Sequence, residues 1–206
     1  MNPKPRTLDV SHLPDFDISN NSPLWWGQLL MAIIEASMFF MMIGIYFYLR
    51  LSVDMWPPPG TQIPHVTWPT IALVCLLASA WGSWYASEGA KQDSRRKMLI
   101  GLIVNLILAV AFLGLRLREL TTINFNWATD VHGTVWWSIV YLHSLDAIGD
   151  MLFTVVLIVI IALGRYAEKQ RLGVHVDSVV WYFIVLIWIP FYAVVYWGPY
   201  FVGAPR

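Results

Sequence analysis

Residues 24–51 read Leu24-Trp-Trp-Gly-Gln-Leu-Leu-Met-Ala-Ile-Ile-Glu35-Ala-Ser-Met-Phe-Phe-Met-Met-Ile-Gly-Ile-Tyr-Phe-Tyr-Leu-Arg50-Leu51. Glu35 and Arg50 are the only charged side chains in this stretch. A helix rises about 1.5 Å per residue, so the stretch exceeds the roughly 30 Å hydrocarbon core of a bilayer. Four more stretches of the same kind follow, at residues 67–87, 98–117, 134–163 and 179–200. In lipid the backbone must satisfy its own hydrogen bonds, so these stretches are helices, and the alternation of a membrane barrel is absent. The sequence therefore predicts an all-α fold, an integral membrane bundle of five transmembrane helices.

The composition agrees. Of 206 residues, 58% are hydrophobic and 13% are charged, where a soluble domain carries about a quarter charged residues. Twelve Trp and nine Tyr suit aromatic belts, and Trp25-Trp26, Trp136-Trp137 and Tyr196-Trp197 fall at span ends as expected interfacial anchors. A formal net charge of zero points away from nucleic acid. Cys75 is the one cysteine, which excludes an intrachain disulfide and a thiolate metal cluster. No phosphate-cradling Gly loop is present.

Residues 1–23 form a polar tail with Asp9, Asp15 and Asp17. The tail lacks the short apolar core and cleavage site of a signal peptide, so the first span is expected to be retained. Residues 24–206 make one transmembrane domain without internal repeat. The connection at residues 54–66 carries Pro57, Pro58, Pro59 and Pro64 and is not helical throughout. Pro190 falls inside the fifth span, where a kink is expected.

Orientation follows from the basic residues. One side holds nine, namely Lys4, Arg6, Lys91, Arg95, Arg96, Lys97, Arg165, Lys169 and Arg171, and the other holds four, namely Arg50, Arg116, Arg118 and Arg206. Nine against four places the N-terminus and its tail in the cytoplasm and the C-terminus outside. Arg50, Arg116 and Arg118 stand at span ends and are expected to snorkel to the interface.

Ionisable groups inside a span are costly and mark candidate sites. Glu35 lies about ten residues into the first span, about 15 Å deep, with no cation near it in sequence. Two readings fit: a proton-linked or contact-forming carboxyl facing another helix, and a neutral glutamic acid hydrogen-bonded inside the bundle. In the fourth span His143, Asp146 and Asp150 recur at spacings of three and four, which places them on one helix face. A polar seam between helices, a proton-linked stripe and a metal site all remain open there. A metal would need further ligands, and Glu35 is the one other carboxylate clearly at mid-depth. His65, Asp130 and His132 are expected to be solvated residues of the outer connections, and His12 of the tail. His175 and Asp177 are expected just before the fifth helix, with Asp177 or Ser178 as its cap. Gly101, Gly114, Gly133 and Gly149 permit close helix approach without forming a GxxxG pair. His143 stands alone at mid-depth, too few histidines for haems or a copper centre.

Several of these segments together resemble the cytochrome c oxidase subunit III family. The first is Trp25-Trp26-Gly27, then Glu35, then Met38-Phe39-Phe40, then Tyr46-Phe47-Tyr48-Leu49-Arg50. It is similar to the family's first shared helix, with a Trp-rich start, a buried Glu and a Phe pair. Gly133-Thr134 followed by Leu142-His143-Ser144 resembles the family's Gly-Ser and Phe-His-Gly segment. Trp181-Tyr182-Phe183 through Trp188 to Tyr196-Trp197-Gly198 resembles its closing segment. The resemblance covers most of residues 23–200. It departs at Asp146, where the family usually has a second His, and at Tyr182 and Val185, where it usually has His and Asp. Family proposals built on those residues do not transfer.

The resemblance implies a five-helix, bacterial-type, non-catalytic subunit of a haem–copper terminal oxidase in the inner membrane. The haems and copper would lie in partner chains, with no catalytic, cofactor or metal residue here. It implies direct packing on subunit I and association with subunit II and other oxidase subunits, with a larger respiratory supercomplex as a conceivable setting. It implies bound phospholipid in a V-shaped cleft between the first two helices and the last three, and support for oxygen access and proton uptake. Glu35 matches the family's buried Glu on the subunit I side. Two other functions fit the residues: an accessory subunit of a nitric oxide reductase, and a small proton-linked transporter using Glu35, His143, Asp146 and Asp150.

Overall fold

The computed structural model describes residue Ile18, residues 21–165 and residues 167–202. Most of the polar tail, including His12, Lys4 and Arg6, and also Arg206, lie outside the described residues. Five helices are long and apolar enough to cross a membrane. They are α1 (Pro23–Leu51), α2 (Thr67–Lys91), α3 (Arg95–Leu120), α4 (Val131–Ala162) and α5 (Glu168–Tyr192). The last continues through a π turn (Ala193–Trp197) into α6 (Gly198–Val202). No strand occurs among the described residues.

The helices overrun the apolar stretches. Helix α5 begins at Glu168, eleven residues before the expected start at Val179, and α3 runs to Leu120 rather than Leu117. Hydropathy reports where lipid ends, whereas intrahelical hydrogen bonding carries on past that boundary. Pro190 cannot donate a backbone hydrogen bond to the carbonyl four residues earlier. The backbone widens to the π turn three residues later, a common adjustment next to such a break.

Helices α2 and α3 touch through backbone. A Cβ added at Gly101 would collide with the Ala86 nitrogen, and one at Gly82 would sit 2.7 Å from the Asn105 nitrogen. Gly82, Ala86 and Ala90 recur every four residues, a small-residue stripe that lets two membrane helices approach closely. Gly114 and Gly149, expected to allow such approach, face open space instead.

The helices do not divide into a first pair and a last three. Helix α1 packs on α4 and α5, and α2 packs on α3 and α5. Helix α5 is thus the central post, and α1 flanks it with only 17% of its apolar window buried. A groove of about 640 Å³ lies between α1 and α2 over α5, and a second cavity of about 400 Å³ lies on the other flank of α1, against α4 and α5. The single V-shaped cleft expected between two helix groups is replaced by these two hollows around α1.

The core is aromatic. Phe39, Trp136, Trp181, Trp188, Phe191 and Tyr196 have essentially no exposure. Trp136 and Tyr196, expected as interfacial anchors, are therefore core residues, while Trp26 and Trp197 remain exposed. The reason is periodicity: adjacent residues on a helix point about 100° apart, so one member of each aromatic pair turns inward.

The loops at the end opposite the basic cluster are tied together. Thr61 donates to Asp130 Oδ2 at 2.6 Å, and Asn124 donates to the Gly60 carbonyl at 3.0 Å. Asp130 also caps α4 by accepting from the Gly133 N–H at 2.6 Å, which satisfies an otherwise orphan donor. At the basic end Arg95 donates to the carbonyls of Ile161 and Ala162 at 3.0 and 2.8 Å. Arg171 donates to that of Ala90 at 2.9 Å. These arginines satisfy the last carbonyls of α4 and α2, where a cation is also favoured by the helix dipole.

Candidate functional site

The second cavity is lined by four carboxylic side chains from three helices: Glu35 of α1, Asp146 and Asp150 of α4, and Asp177 of α5. Helices α4 and α5 run antiparallel, which sets who meets whom. His143 is opposite Ile184, and seven residues along α4, two turns away, Asp150 shares the cavity with Asp177, seven residues back along α5. His143 and Asp150 thus share the α5-facing side of α4, as their spacing requires. Asp146 lies off that line and lines the cavity beside Glu35 of α1.

Asp177 is the residue that sequence reasoning misplaced. It is no cap: α5 starts nine residues before it, and it is 1% exposed. Thr154 of α4 donates to its two carboxylate oxygens at 3.2 and 3.3 Å. Asp150 is 7% exposed, and neither its Oδ2 nor that of Asp146 has a hydrogen-bond partner among the described residues. Among the residues lining the cavity, Gln28 is the one other polar side chain and none is basic.

His143 does not open into this cavity. Its Nε2–H donates to the Ile184 carbonyl at 3.0 Å. Its ring stacks on Trp188 at 4.3 Å and meets Phe112 edge-on at 5.8 Å. The same aromatic group holds Arg116, whose guanidinium lies 4.2 Å from the Trp188 ring centre, a cation–π arrangement.

Arg116 does not snorkel; it is 1% exposed. It donates from Nη1 to Glu119 Oε2 at 3.0 Å and to the Tyr196 hydroxyl at 2.6 Å, and Tyr196 in turn donates to Glu119 Oε1. Glu119 lies three residues along the same face, so the counter-charge is local and the pair turns inward. That spacing was visible in the sequence, but Glu119 fell outside the apolar stretch.

Two more histidines are buried: His132, expected to be solvated in a loop, and His175, expected just before the fifth helix. His132 lies in the first turn of α4 with no exposure, its ring 4.9 Å from Trp56 and 5.2 Å from Phe125. His175 lies inside α5, 5% exposed, with Nδ1 2.8 Å from the Ser87 hydroxyl of α2. Among the described residues no three His, Cys, Asp or Glu side chains converge as a metal site.

The groove between α1 and α2 differs in character. Trp25, Ile33, Phe40, Phe183 and Leu186 give it apolar walls, and Ser87, Glu88 and Lys91 stand towards its basic end. Lys91 pairs with Glu88 at 2.8 Å there.

Comparison with known proteins adds the following. A family model described as cytochrome c oxidase subunit III matches residues 12–200. Cytochrome c oxidase subunit 3 of Thermostichus vulcanus is 28% identical over 82% of this chain and 85% of its own length. The subunit 3 of Emericella nidulans is 27% identical over 84% of this chain and 66% of its own. That of Myxine glutinosa is 22% identical over 84% of this chain and 69% of its own.

Proposed function

The chain belongs to the cytochrome c oxidase subunit III family, and we propose on that footing that it is the non-catalytic subunit III that packs directly on subunit I of a haem–copper terminal oxidase. Membership makes it a multi-pass membrane subunit of such a complex, working beside other subunits in the respiratory chain. The finer roles proposed are stabilising subunit I, binding phospholipid, and supporting oxygen access and proton uptake. The proposed location is a bacterial cytoplasmic membrane, with the basic end of the bundle inside.

The observation that carries the reading is the state of α1. This helix is the least covered of the five, and it brings Glu35 to a cavity at its flank. A carboxyl held in an apolar, partly uncovered helix face is costly for an isolated chain. It suits a surface that a larger membrane subunit completes. The haems and copper are assigned to the partner chains. His143, the one histidine at mid-depth, already donates from Nε2 to Ile184 and is stacked on Trp188. The groove between α1 and α2 supports the lipid role: its walls are apolar and Lys91 stands near its basic end, as acyl chains and an anionic headgroup require.

Glu35→Ala in the assembled oxidase tests the proposal. Haem content and subunit composition are expected to stay intact while turnover falls or the catalytic lifetime shortens. Unchanged activity over many turnovers would contradict the role given to Glu35.

A further inference from the structure

Four carboxylic side chains meet in the cavity beside α1 with no basic side chain among the residues that line it. Two of them, Asp150 and Asp177, are more than nine-tenths buried. Thr154 supplies Asp177 with a donor, whereas Asp150 Oδ2 has no hydrogen-bond partner among the described residues. Buried carboxyl groups require a compensating charge, donors or a bound proton, since the desolvation cost is otherwise several kcal/mol or more per group, and a cation close by favours the first of these. What supplies them must fit both the depth and the spread of the four groups.

The geometry narrows the occupant. Glu35 and Asp146 lie near the middle of helices 29 and 32 residues long, out of reach of a lipid amine anchored at the interface. The acids are spread along the cavity, and no three of them converge as a metal site. A compact ion therefore satisfies at most part of the set. A long apolar stem carries a cationic head to the buried end of the set, where arginine's planar fork of five donors engages two carboxylates at once and lysine offers three donors on one ammonium. Phe153 of α4 lines the cavity and is 46% exposed, so an apolar side chain stands where a partner helix would seat.

We infer that this cavity receives an arginine or lysine side chain from a transmembrane helix of another subunit, which seats against α1 and α4. The inference rests on the subunit reading above and adds the chemistry of the contact: a membrane-buried cation on the partner, matched to Glu35, Asp146, Asp150 and Asp177, of which Asp150 and Asp177 are the most buried. Such pairing fixes the partner's register and depth, because a slip would strand charge in lipid.

The test uses the intact complex. A photo-crosslinking amino acid replaces Phe153, the affinity-purified complex is irradiated, and the attached peptide is sequenced by mass spectrometry. The expected peptide is a membrane segment of a different chain with a Lys or Arg inside its apolar stretch. Replacing that base with Gln should lower retention of this chain in the complex by about tenfold. Asp150→Asn with Asp177→Asn should lower it similarly, and combining both changes should cost less than the sum, as coupled partners do. Crosslinks only to lipid, to a partner segment without a base, or to Lys4 and Arg6 of this chain's own tail would overturn the inference while leaving the subunit reading in place. A chain that purifies with no partner would overturn the subunit reading, and the inference with it.

Discussion

The molecule holds two buried polar clusters, and they are built on opposite terms. In one, Arg116, Glu119 and Tyr196 bond to one another, with one positive and one negative group enclosed by Phe112 and Trp188. In the other, Glu35, Asp146, Asp150 and Asp177 gather acids alone around a cavity of about 400 Å³. The first balances its charge within one chain, although Arg116 Nε and Nη2 have no hydrogen-bond partner among the described residues, so it serves the fold. The second is completed only by something else, so it serves an assembly. Covering follows the same division: the first sits in the aromatic core under α5, the second beside α1, the least covered helix.

This contrast makes stability measurements in detergent informative. The largest effect is expected for Glu119→Ala. It leaves the Arg116 guanidinium buried and unpaired, at a cost of about 3–5 kcal/mol, read as a large fall in the thermal midpoint of the purified chain. Replacing Arg116 and Glu119 together by Met should recover much of that loss, since an apolar pair of similar volume is often nearly neutral. If the double variant is as unstable as the single one, the cluster does more than balance charge. Gly101→Ala gives a yardstick away from both clusters. Its new Cβ meets backbone rather than a flexible side chain, and about 1–3 kcal/mol of overpacking is expected. The smallest effect is expected for Asp150→Asn in the isolated chain. The amide keeps the shape and cannot ionise beside three other acids, so the midpoint should stay or rise. A marked fall would show that Asp150 already has a cation within this chain, and the contrast between the clusters would break.

Much of this was legible in the sequence, and the misses share a cause. All five spans, and Glu35, Asp146 and Asp150 within them, stood out because charge inside an apolar run is conspicuous. Asp177, His175 and Glu119 did not, because they lie in polar stretches at the edges of the runs. There the helix continues although the hydropathy falls. Glu168 in the first turn and the spacing Leu172, His175, Val176, Val179 offered a signal for the earlier start of α5. Arg116 illustrates the other limit. Its place near a span end suggested snorkelling, and only the three-residue spacing to Glu119 pointed inward. Convergence of α1, α4 and α5 on one cavity is tertiary and had no local signature.

The most direct measurement is made on the complex itself. The tagged chain is purified in mild detergent, and a reduced-minus-oxidised spectrum is recorded together with the identities of the co-purifying subunits. Haem bands accompanied by a large multi-helix partner are the expected result for subunit III on subunit I of a haem–copper oxidase. A stable, colourless preparation of this chain alone from its native membrane, where the partner chains are made, would contradict it.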